Sequence, residues 1–327
     1  MTYLVTGGTG FIGSYVVRDL LYAGKEVVCF QRSGVTPIFL GVVGKENVSK
    51  VKIVQGDISN SIQLFNVIKD NHIEKIVHTS YILLSGGMSE LQPAYSLQVN
   101  CVGMSNLLEA ARLLGVKKIV WTSSCQALGD IGMYYKEPIR DDAFYKPDSM
   151  YSATKALNEY MLKVYYDNFG VDCVGFRIGF ILGVDRPLGR GGVFTQFLRN
   201  AATDIPTTMA TMNADHVRTL GYVENISDLL VEACDAPITK TRTFNAVEYL
   251  VSCRQIVESI LRISPKAKVT IKDGVSSAEA TWGGAQEPIL DISGIKTELG
   301  WQPKYSLDEA LRKIFNYFRE QAGLSPL

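Results

Sequence analysis

The alternation of two kinds of segment constrains the fold of this chain more than any other feature. In the N-terminal half, short runs rich in β-branched residues alternate with longer amphipathic runs. The short runs are almost continuously apolar, which is typical of parallel strands that are covered on both faces. These runs read TYLVTG, EVVCFQ, VKIVQGD, KIVHTS, KKIVWTSS and VDCVGFRIG.

The longer runs have the pattern of helices, and most of them end at or beside a glycine, as helices commonly do. They read FIGSYVVRDLLYAG, SIQLFNVIKDN, SLQVNCVGMSNLLEAARLLG and MYSATKALNEYMLKVYYDNFG. Alternation of strand and helix predicts an α/β fold with a doubly wound, Rossmann-type parallel sheet. We expect residues 1–178 to form an NAD(P)-binding domain, joined by a returning strand near 242–247. Residues 179–327 are expected to form mainly a smaller C-terminal α/β substrate-binding region.

Composition narrows the class of protein further. Lys and Arg number 33 and balance 33 Asp and Glu, so no nucleic-acid or anionic-membrane surface is indicated. The first residues, MTYLVTGG, have neither a basic region nor a long apolar region, and no apolar run is long enough for a membrane span, so neither a secretory leader nor a membrane span is expected. Scattered histidines and cysteines without CxxC spacing predict reduced, buried thiols and no metal site. These features favour a cytoplasmic protein. The cysteines are residues 29, 101, 125, 173, 234 and 253.

A glycine-rich turn, TGGTGFIG, joins the first predicted strand to the first predicted helix. Gly7, Gly10 and Gly13 would let the backbone turn tightly and approach a pyrophosphate, which would rest at the positive end of the helix. Phe11 and Ile12 open that helix and are counted with the cofactor site. The position of the turn after a strand and before a helix predicts a dinucleotide site. A purely structural turn is the alternative.

The residue at the end of the second strand contacts the cofactor's ribose and so determines whether NAD or NADP is preferred. An acid there binds the 2′-hydroxyl of NAD, whereas an arginine accommodates the 2′-phosphate of NADP. Gln31 and Arg32 occupy this place, and a guanidinium matches a phosphate bidentately, so NADP is favoured over NAD. Alternatively, Arg32 is solvated or stacks on the adenine of either cofactor. Asp57 and Ile58 are well placed to bind that adenine. The remaining candidate cofactor contacts are Ser33 and Thr79.

Tyr151 and Lys155 lie four positions apart, a spacing that places both side chains on one face of a helix. Such a pair could be a catalytic acid–base pair or an ordinary part of an amphipathic helix. Chance also produces this spacing in a chain with 16 tyrosines. The pair therefore indicates an active site only when its place in the chain is considered.

Seven motifs along the chain resemble the extended short-chain dehydrogenases/reductases, also called the NAD-dependent epimerase/dehydratase family. In order, they are TGGTGFIG, GDIS, VNCVGMSNLLEAAR, VWTSSCQALGD, YSATK, RTLGYVENISDLL and LGWQPKYSLDEAL. The resemblance implies that Tyr151 is the general acid/base and Lys155 its electrostatic partner. It also implies that Ser124 holds the substrate oxygen and that Asn100 has a mainly structural role. A homodimer through the helices that contain Asn100 and Tyr151 is implied as well.

The chemistry requires these residue types. A free phenol titrates near pH 10, and a nearby ammonium lowers that pKa. Ser124 would fix the reacting carbon against the nicotinamide while Tyr151 takes or gives the proton. Hydride transfer itself belongs to the cofactor. We therefore predict an NAD(P)-dependent oxidoreductase that interconverts a secondary alcohol and a carbonyl. The alternatives are a sugar epimerase, in which the hydride returns on the opposite face, and a non-catalytic NAD(P)-binding module.

Several positions depart from the family's pattern. Members that act on nucleotide sugars typically carry an asparagine where Phe180 stands, and a phenyl ring cannot donate hydrogen bonds to a pyrophosphate. Arg218 matches a family arginine that can reach the phosphates, but a later arginine is replaced by Gln286 and Glu287. Cys125 and Gln126 stand where dehydratases carry an Asp–Glu pair, so elimination is not expected.

The segment after the fourth strand supplies further candidates for the pocket wall, and with Phe180 they favour a small or partly apolar substrate. These wall candidates are Tyr81, Ile82, Leu83 and Leu84. Core burial explains each of them about equally well. The candidate substrate contacts are Tyr81, Ser123, Ser124, Phe180 and Arg218.

Overall fold

A central sheet of seven parallel strands organises the computed structural model, which describes residues 1–82, 92–129, 138–184, 190–276, 279–280 and 287–327. Across the sheet, its strands follow the order Thr243–Ala246, Cys173–Ile178, Lys118–Ser124, Ile73–His78, Thr2–Thr6, Glu26–Gln31 and Val51–Gln55. This arrangement confirms the predicted doubly wound α/β fold. In chain order, the strands are β1 (Thr2–Thr6), β2 (Glu26–Gln31), β3 (Val51–Gln55), β4 (Ile73–His78), β5 (Lys118–Ser124), β6 (Cys173–Ile178), β7 (Phe180–Leu182), β8 (Thr207–Ala210), β9 (Val217–Tyr222), β10 (Thr243–Ala246), β11 (Tyr249–Ser252) and β12 (Val269–Lys272).

Helices cover both faces of this sheet. On one face, the helix Phe11–Tyr22 packs against the helix Val223–Asp235, and on the other face the helices Ser61–Asp70, Gly103–Leu114 and Met150–Phe169 form the second layer. The two apolar cores lie between these helices and the sheet, as the nearly continuous apolar strands require. The described α-helices are α1 (Phe11–Tyr22), α2 (Pro37–Val43), α3 (Ser61–Asp70), α4 (Pro93–Leu97), α5 (Gly103–Leu114), α6 (Met150–Phe169), α7 (Arg190–Ala202), α8 (Val223–Asp235), α9 (Cys253–Ile263), α10 (Ser293–Leu299) and α11 (Leu307–Gln321).

Local signals fix both ends of α6, the helix that carries the Tyr–Lys pair. The Ser149 side chain accepts a hydrogen bond from the Ser152 amide at 3.1 Å, which completes a capping box. At the other end, Gly170 has a φ of +68°, the left-handed conformation that ends many helices. Tyr151 therefore lies in the first turn of a helix whose start is defined by its sequence.

The segment expected to be one helix around SLQVNCVGMSNLLEAARLLG contains a π-helical turn. This turn, Gln98–Val102, joins α4 to α5, and Asn100 lies at its centre. Wider turns of this type occur frequently at functional sites. The apolar periodicity of the segment continues through the turn, which is why the sequence indicated a regular helix.

The chain beyond residue 179 adds two small sheets beside the carboxyl edge of the central sheet. One has the order β11-β9-β7, and the other pairs β12 with β8. In the same part of the chain, Thr243–Ala246 returns to the central sheet and pairs in parallel with β6. Among the described helices, none combines the length and the apolar character needed to cross a membrane.

Candidate active site

The glycine-rich turn forms a tight connection between β1 and α1. Gly7 has a φ of +69°, and its amide donates to the Phe30 carbonyl at 3.1 Å. A Cβ on Gly7 would lie 2.9 Å from the Ser80 amide nitrogen, and one on Gly13 would lie 2.2 Å from the Gly7 carbonyl oxygen. Because side chains are excluded there, a pyrophosphate could approach the backbone amides and the positive end of α1, which begins after Gly10. The turn therefore fits a dinucleotide.

Gln31 and Arg32, the two candidates for contact with the ribose, are placed very differently. Gln31 is buried, and its side chain accepts from the Thr9 amide at 2.9 Å and donates to the Gly34 carbonyl at 3.3 Å. It therefore joins the glycine-rich turn to the loop after β2. Arg32 is exposed, and its guanidinium donates to the Tyr95 hydroxyl. The charge at the edge of this site is thus accessible to an anion.

The candidates for contact with adenine are held by local hydrogen bonds. The Asp57 carboxylate accepts from the Ser59 amide at 2.9 Å and from its hydroxyl at 2.7 Å. Ile58 is buried, and its carbonyl accepts from the Asn106 side chain at 3.0 Å. Both residues follow β3 and so lie at the same sheet edge as the glycine-rich turn.

The other cofactor candidates lie along this edge. Thr79 follows β4 and donates from its hydroxyl to the Thr6 carbonyl at 2.9 Å. Ser33 is exposed in the loop after β2. Phe11 and Ile12 are partly buried and pack against the apolar core. The structure therefore brings together at one edge the predicted residues from the ends of β1, β2, β3 and β4.

Lys155 and Tyr151 meet at this edge together with a third side chain, Tyr81. The Lys155 Nζ donates to the Thr122 carbonyl at 2.7 Å and lies 3.6 Å from the centre of the Tyr81 ring. The Tyr81 and Tyr151 rings pack edge to face with centres 5.4 Å apart. The Nζ lies 5.9 Å from the centre of the Tyr151 ring.

Burial controls the charge of these groups. It lowers the pKa of Lys155 to about 7, and the nearby carboxylate of Glu159 opposes that change. Burial also lowers the pKa of His78 to about 3, with a further contribution from the charge on Lys155. His78 is therefore neutral at pH 7, and its Nδ1 lies 2.6 Å from the Thr6 hydroxyl.

Ser123 and Ser124 are adjacent but have different partners. Ser124 ends β5, and its Oγ accepts from the Gln126 amide at 3.2 Å where a short 3₁₀ turn begins. Ser123 is fully buried and donates from its hydroxyl to the Glu159 carboxylate. Ser124 thus lies at the sheet edge near the Tyr–Lys pair, while Ser123 belongs to the protein interior.

A buried ion pair lies behind these serines. Arg177 of β6 places Nη2 at 2.8 Å and Nε at 3.0 Å from Oε2 of Glu159. The Tyr145 hydroxyl donates to the same oxygen at 2.7 Å. The sequence analysis did not single out Glu159, although its position four residues after Lys155 on the same helix was a usable signal.

Asn100 has the structural contacts that its implied role requires. Its side chain accepts from the Ile82 amide at 2.9 Å and donates to the Ile82 carbonyl at 3.1 Å. Its own carbonyl accepts from the Asn158 side chain at 2.8 Å. These bonds hold the segment that carries Tyr81 against α6.

The substrate candidates beyond residue 179 lie on the small sheet. Phe180 begins β7, packs edge to face against Phe194 at 5.7 Å and pairs with Leu220 of β9. Arg218, also on β9, forms an ion pair of 2.7 Å with Glu287. The sequence analysis noted Glu287 only as a replacement for an arginine. Leu83, Leu84 and Gln286 lie outside the described residues.

The Rossmann-type sheet, its glycine-rich turn, and the half-buried Tyr151 beside the buried Lys155 at the same sheet edge define a dinucleotide-dependent enzyme. A family model, that of the NAD dependent epimerase/dehydratase family, matches residues 3–246. The chain belongs to this family, and the resemblance to the extended short-chain dehydrogenases/reductases is confirmed. It is therefore a nicotinamide-dinucleotide-dependent enzyme of the oxidoreductase and epimerase class.

Individual relatives cover almost the whole chain. A UDP-glucose 4-epimerase from Mycolicibacterium smegmatis is 30% identical over 98% of this chain and 100% of its own length. The solved structure of a Thermus thermophilus UDP-glucose 4-epimerase in complex with NAD has a TM-score of 0.75 and 26% identity, covering 98% of this chain and 99% of that one. An L-threonine dehydrogenase from Clostridium difficile has the same fold, with a TM-score of 0.84 and 23% identity, and covers 98% of each chain.

Proposed function

We propose that this protein interconverts a secondary alcohol and a carbonyl, with Tyr151 as the acid/base. The observation that carries the proposal is the position of the buried Lys155 ammonium. It is held by the Thr122 carbonyl within 6 Å of the Tyr151 ring, at the sheet edge that also carries the glycine-rich turn. A buried lysine whose pKa is lowered by burial is typical of a functional site.

Each residue has a distinct task in this mechanism. When it is bound, the nicotinamide supplies or accepts the hydride. Ser124 holds the substrate oxygen, and Tyr151 gives a proton to that oxygen or takes one from it. The ammonium of Lys155 stabilises the phenolate that forms. Gly7 and the start of α1 would hold the pyrophosphate of the cofactor.

Epimerisation is the second candidate function, because relatives at 30% and 26% identity are named UDP-glucose 4-epimerases. The same Tyr–Lys pair serves both reactions, since an epimerase removes and returns the same hydride. Phe180 in place of an asparagine favours net oxidation or reduction of a smaller substrate. A non-catalytic binding module has no use for Ser124, Tyr151 and Lys155 together.

A panel of stereochemically defined alcohols, ketones and sugar nucleotides tests the function. A lasting change in nicotinamide absorbance identifies a dehydrogenase, whereas isomerised product without such a change identifies an epimerase. On the substrate found, Tyr151→Phe should lower kcat by about 100-fold or more. Tyr22→Phe, at an exposed tyrosine of α1, is the control and should keep full turnover. Full turnover by Tyr151→Phe with unchanged kcat would contradict the mechanism.

NADP is the proposed cofactor, although NAD serves the family. The exposed Arg32 guanidinium beside the Tyr95 hydroxyl supports this proposal, since it follows β2 where the ribose would lie. A 2′-phosphate there would gain a bidentate, charge-assisted contact. The Gln31 side chain accepts from the Thr9 amide, so contact with the ribose would come from neighbouring residues.

A homodimer through α6 and the helical segment before it is also proposed. Apolar side chains at Leu157, Tyr160 and Val164 are 45%, 53% and 47% exposed and follow the spacing of one helix face. Leu97 and Val102 extend the apolar surface on the neighbouring segment. Sedimentation of the wild type should give a dimer, and Leu157→Glu should give a folded monomer. A monomeric wild type would exclude the dimer.

The division of the chain and its location are proposed on simpler grounds. Residues 1–178 with the strand Thr243–Ala246 form the cofactor domain, and residues 179–327 mainly bind substrate, since Phe180 and Arg218 lie there. All six cysteines are free, which supports a cytoplasmic location. Limited proteolysis with and without cofactor tests the division, because the cofactor should protect the first part more strongly.

A further inference from the structure

An ion pair between Arg218 and Glu287 lies beside the proposed active site. We propose that this pair excludes a diphosphate and selects a secondary alcohol that carries no net charge where it meets β9. The proposal deepens the proposed function and rests on it, because it names the substrate class of the same site.

The geometry fixes the carboxylate firmly. Its Oε1 lies 2.7 Å from Nη2 of Arg218, and its Oε2 accepts from the Thr219 amide at 2.7 Å and from the Thr219 hydroxyl at 2.6 Å. The Glu287 amide also donates to the Val217 carbonyl at 3.1 Å. Glu287 is therefore bound along β9 by both its backbone and its side chain. An anion that bound Arg218 would have to displace the Glu287 carboxylate, which is already held by the Arg218 guanidinium and by the amide and hydroxyl of Thr219.

Two contacts place this pair next to Ser124. Cys125 follows Ser124 directly, and its Sγ lies 3.4 Å from the Thr219 hydroxyl. The same hydroxyl donates a hydrogen bond to the Glu287 carboxylate. Phe180 begins β7, which runs alongside β9 with Phe180 opposite Leu220. The end of β5, the start of β7 and the strand with Arg218 therefore border one region. The Glu287 charge acts on this region, since burial and that charge together raise the pKa of the Cys125 thiol to about 11.

The charges decide which substrates fit. The side chains of Arg218 and Glu287 are only 18% and 21% exposed, so water screens their charges less than at an open surface. A diphosphate that approached Arg218 would also meet the negative charge of Glu287, which lies 2.7 Å from the guanidinium. Phe180 offers it no hydrogen-bond donor. A polyol or a zwitterion brings no net charge, and an ion pair offers it both a donor and an acceptor.

The wild-type complex with cofactor tests the proposal directly, with UDP as the probe in calorimetric titration. We expect UDP to bind the wild type weakly and Glu287→Gln to bind it at least tenfold more tightly. The control is Glu279→Gln, which alters an exposed carboxylate elsewhere and should leave UDP affinity unchanged. Unchanged UDP affinity in folded Glu287→Gln would overturn the proposal.

A second measurement holds even if Glu287→Gln fails to fold. The wild type should show a higher kcat/KM for net-neutral secondary alcohols than for any sugar nucleotide in the panel. Micromolar binding of UDP, or a nucleoside diphosphate sugar as the best substrate, would overturn the proposal. UDP titration involves no turnover, and loss of turnover in Tyr151→Phe does not depend on UDP. A wrong assignment of the substrate class can therefore be distinguished from a wrong assignment of the function, because the first is tested by UDP binding and the second by turnover.

Discussion

Arg177 and Glu159 form an ion pair of 2.8 Å that is sealed from solvent, with side chains 1% and 0% exposed. Glu159 also accepts from Ser123 of β5, so the pair connects α6 to two strands of the central sheet. Lys155 lies one helical turn before Glu159. The position and the charge of the proposed catalytic lysine therefore depend on this pair.

Removing one partner of the pair should destabilise the fold strongly. Arg177→Met leaves the Glu159 carboxylate buried without its counter-charge, which costs about 3–5 kcal/mol of unfolding free energy. Urea denaturation followed by circular dichroism measures this loss. Arg254→Met, which removes an exposed ion pair with Asp215, is the matched control and should have no measurable effect. Equal losses in the two variants would show that burial of the pair contributes nothing.

The pH dependence of activity should report the charge on Lys155. Because burial lowers its pKa to about 7, the ammonium is present below that pH and is lost above it. In the direction of carbonyl reduction, kcat/KM should therefore fall as pH rises through about 7, since Tyr151 gives up its proton most readily beside a charged lysine.

The same profile in Glu159→Gln separates an electrostatic role from a structural one. Glu159 raises the pKa of Lys155 against the effect of burial, so its neutralisation should move the midpoint to lower pH. Circular dichroism establishes that the variant is folded. A lower rate with an unmoved midpoint would mean that Glu159 supports the helix but does not set the charge of the lysine.

The sequence was most informative where the chemistry lies within one segment. The glycine-rich turn lies wholly between β1 and α1, and Tyr151 and Lys155 share one helix, so each motif could be located within a single segment by its place in the chain. The fold followed from alternating apolar runs for the same reason, because each strand and helix has its own periodicity. These predictions required no knowledge of which distant segments meet.

Contacts between distant segments could not be predicted in this way. Arg218 and Glu287 are far apart in the chain and meet only because the segment before α10 runs along β9. Likewise, Lys155 finds the Thr122 carbonyl across the gap between α6 and β5. The π-helical turn at Asn100 was missed because apolar spacing alone does not reveal a wider turn. A charged residue in an apolar segment indicates that it has a buried partner, but the sequence does not identify the residue that partners it.

Gly13 should tolerate no side chain, because a Cβ there would lie 2.2 Å from the Gly7 carbonyl oxygen. Gly13→Ala must push α1 away from the turn, which should cost about 1–3 kcal/mol and weaken dinucleotide binding. Gly41→Ala is the matched control on α2, where a Cβ meets open space and should stabilise by about 0.4–1 kcal/mol. Thermal unfolding and cofactor titration check both variants. Unimpaired cofactor binding by Gly13→Ala would contradict the close approach of α1 to the turn.

The choice between NAD and NADP should depend on Arg32. If its guanidinium binds the 2′-phosphate, Arg32→Ala should weaken NADP binding by about 10- to 100-fold, the value of a charge-assisted contact, and leave NAD binding unchanged. Fluorescence titration with both cofactors at two salt concentrations measures this, and the preference should shrink at high salt. Arg112→Ala, at an exposed ion pair on α5, is the control and should change neither affinity.

The pattern of losses also separates the two roles open to Arg32. A guanidinium that stacks on adenine would contribute equally to both cofactors, so both affinities would fall together in Arg32→Ala. A solvated guanidinium would change neither. Tyr95 provides a further check, because its hydroxyl accepts from Arg32 and Tyr95→Phe removes only that acceptor. If Arg32 selects NADP, Tyr95→Phe should still bind NADP more tightly than NAD, because the Arg32 guanidinium would donate to the 2′-phosphate instead of the Tyr95 hydroxyl.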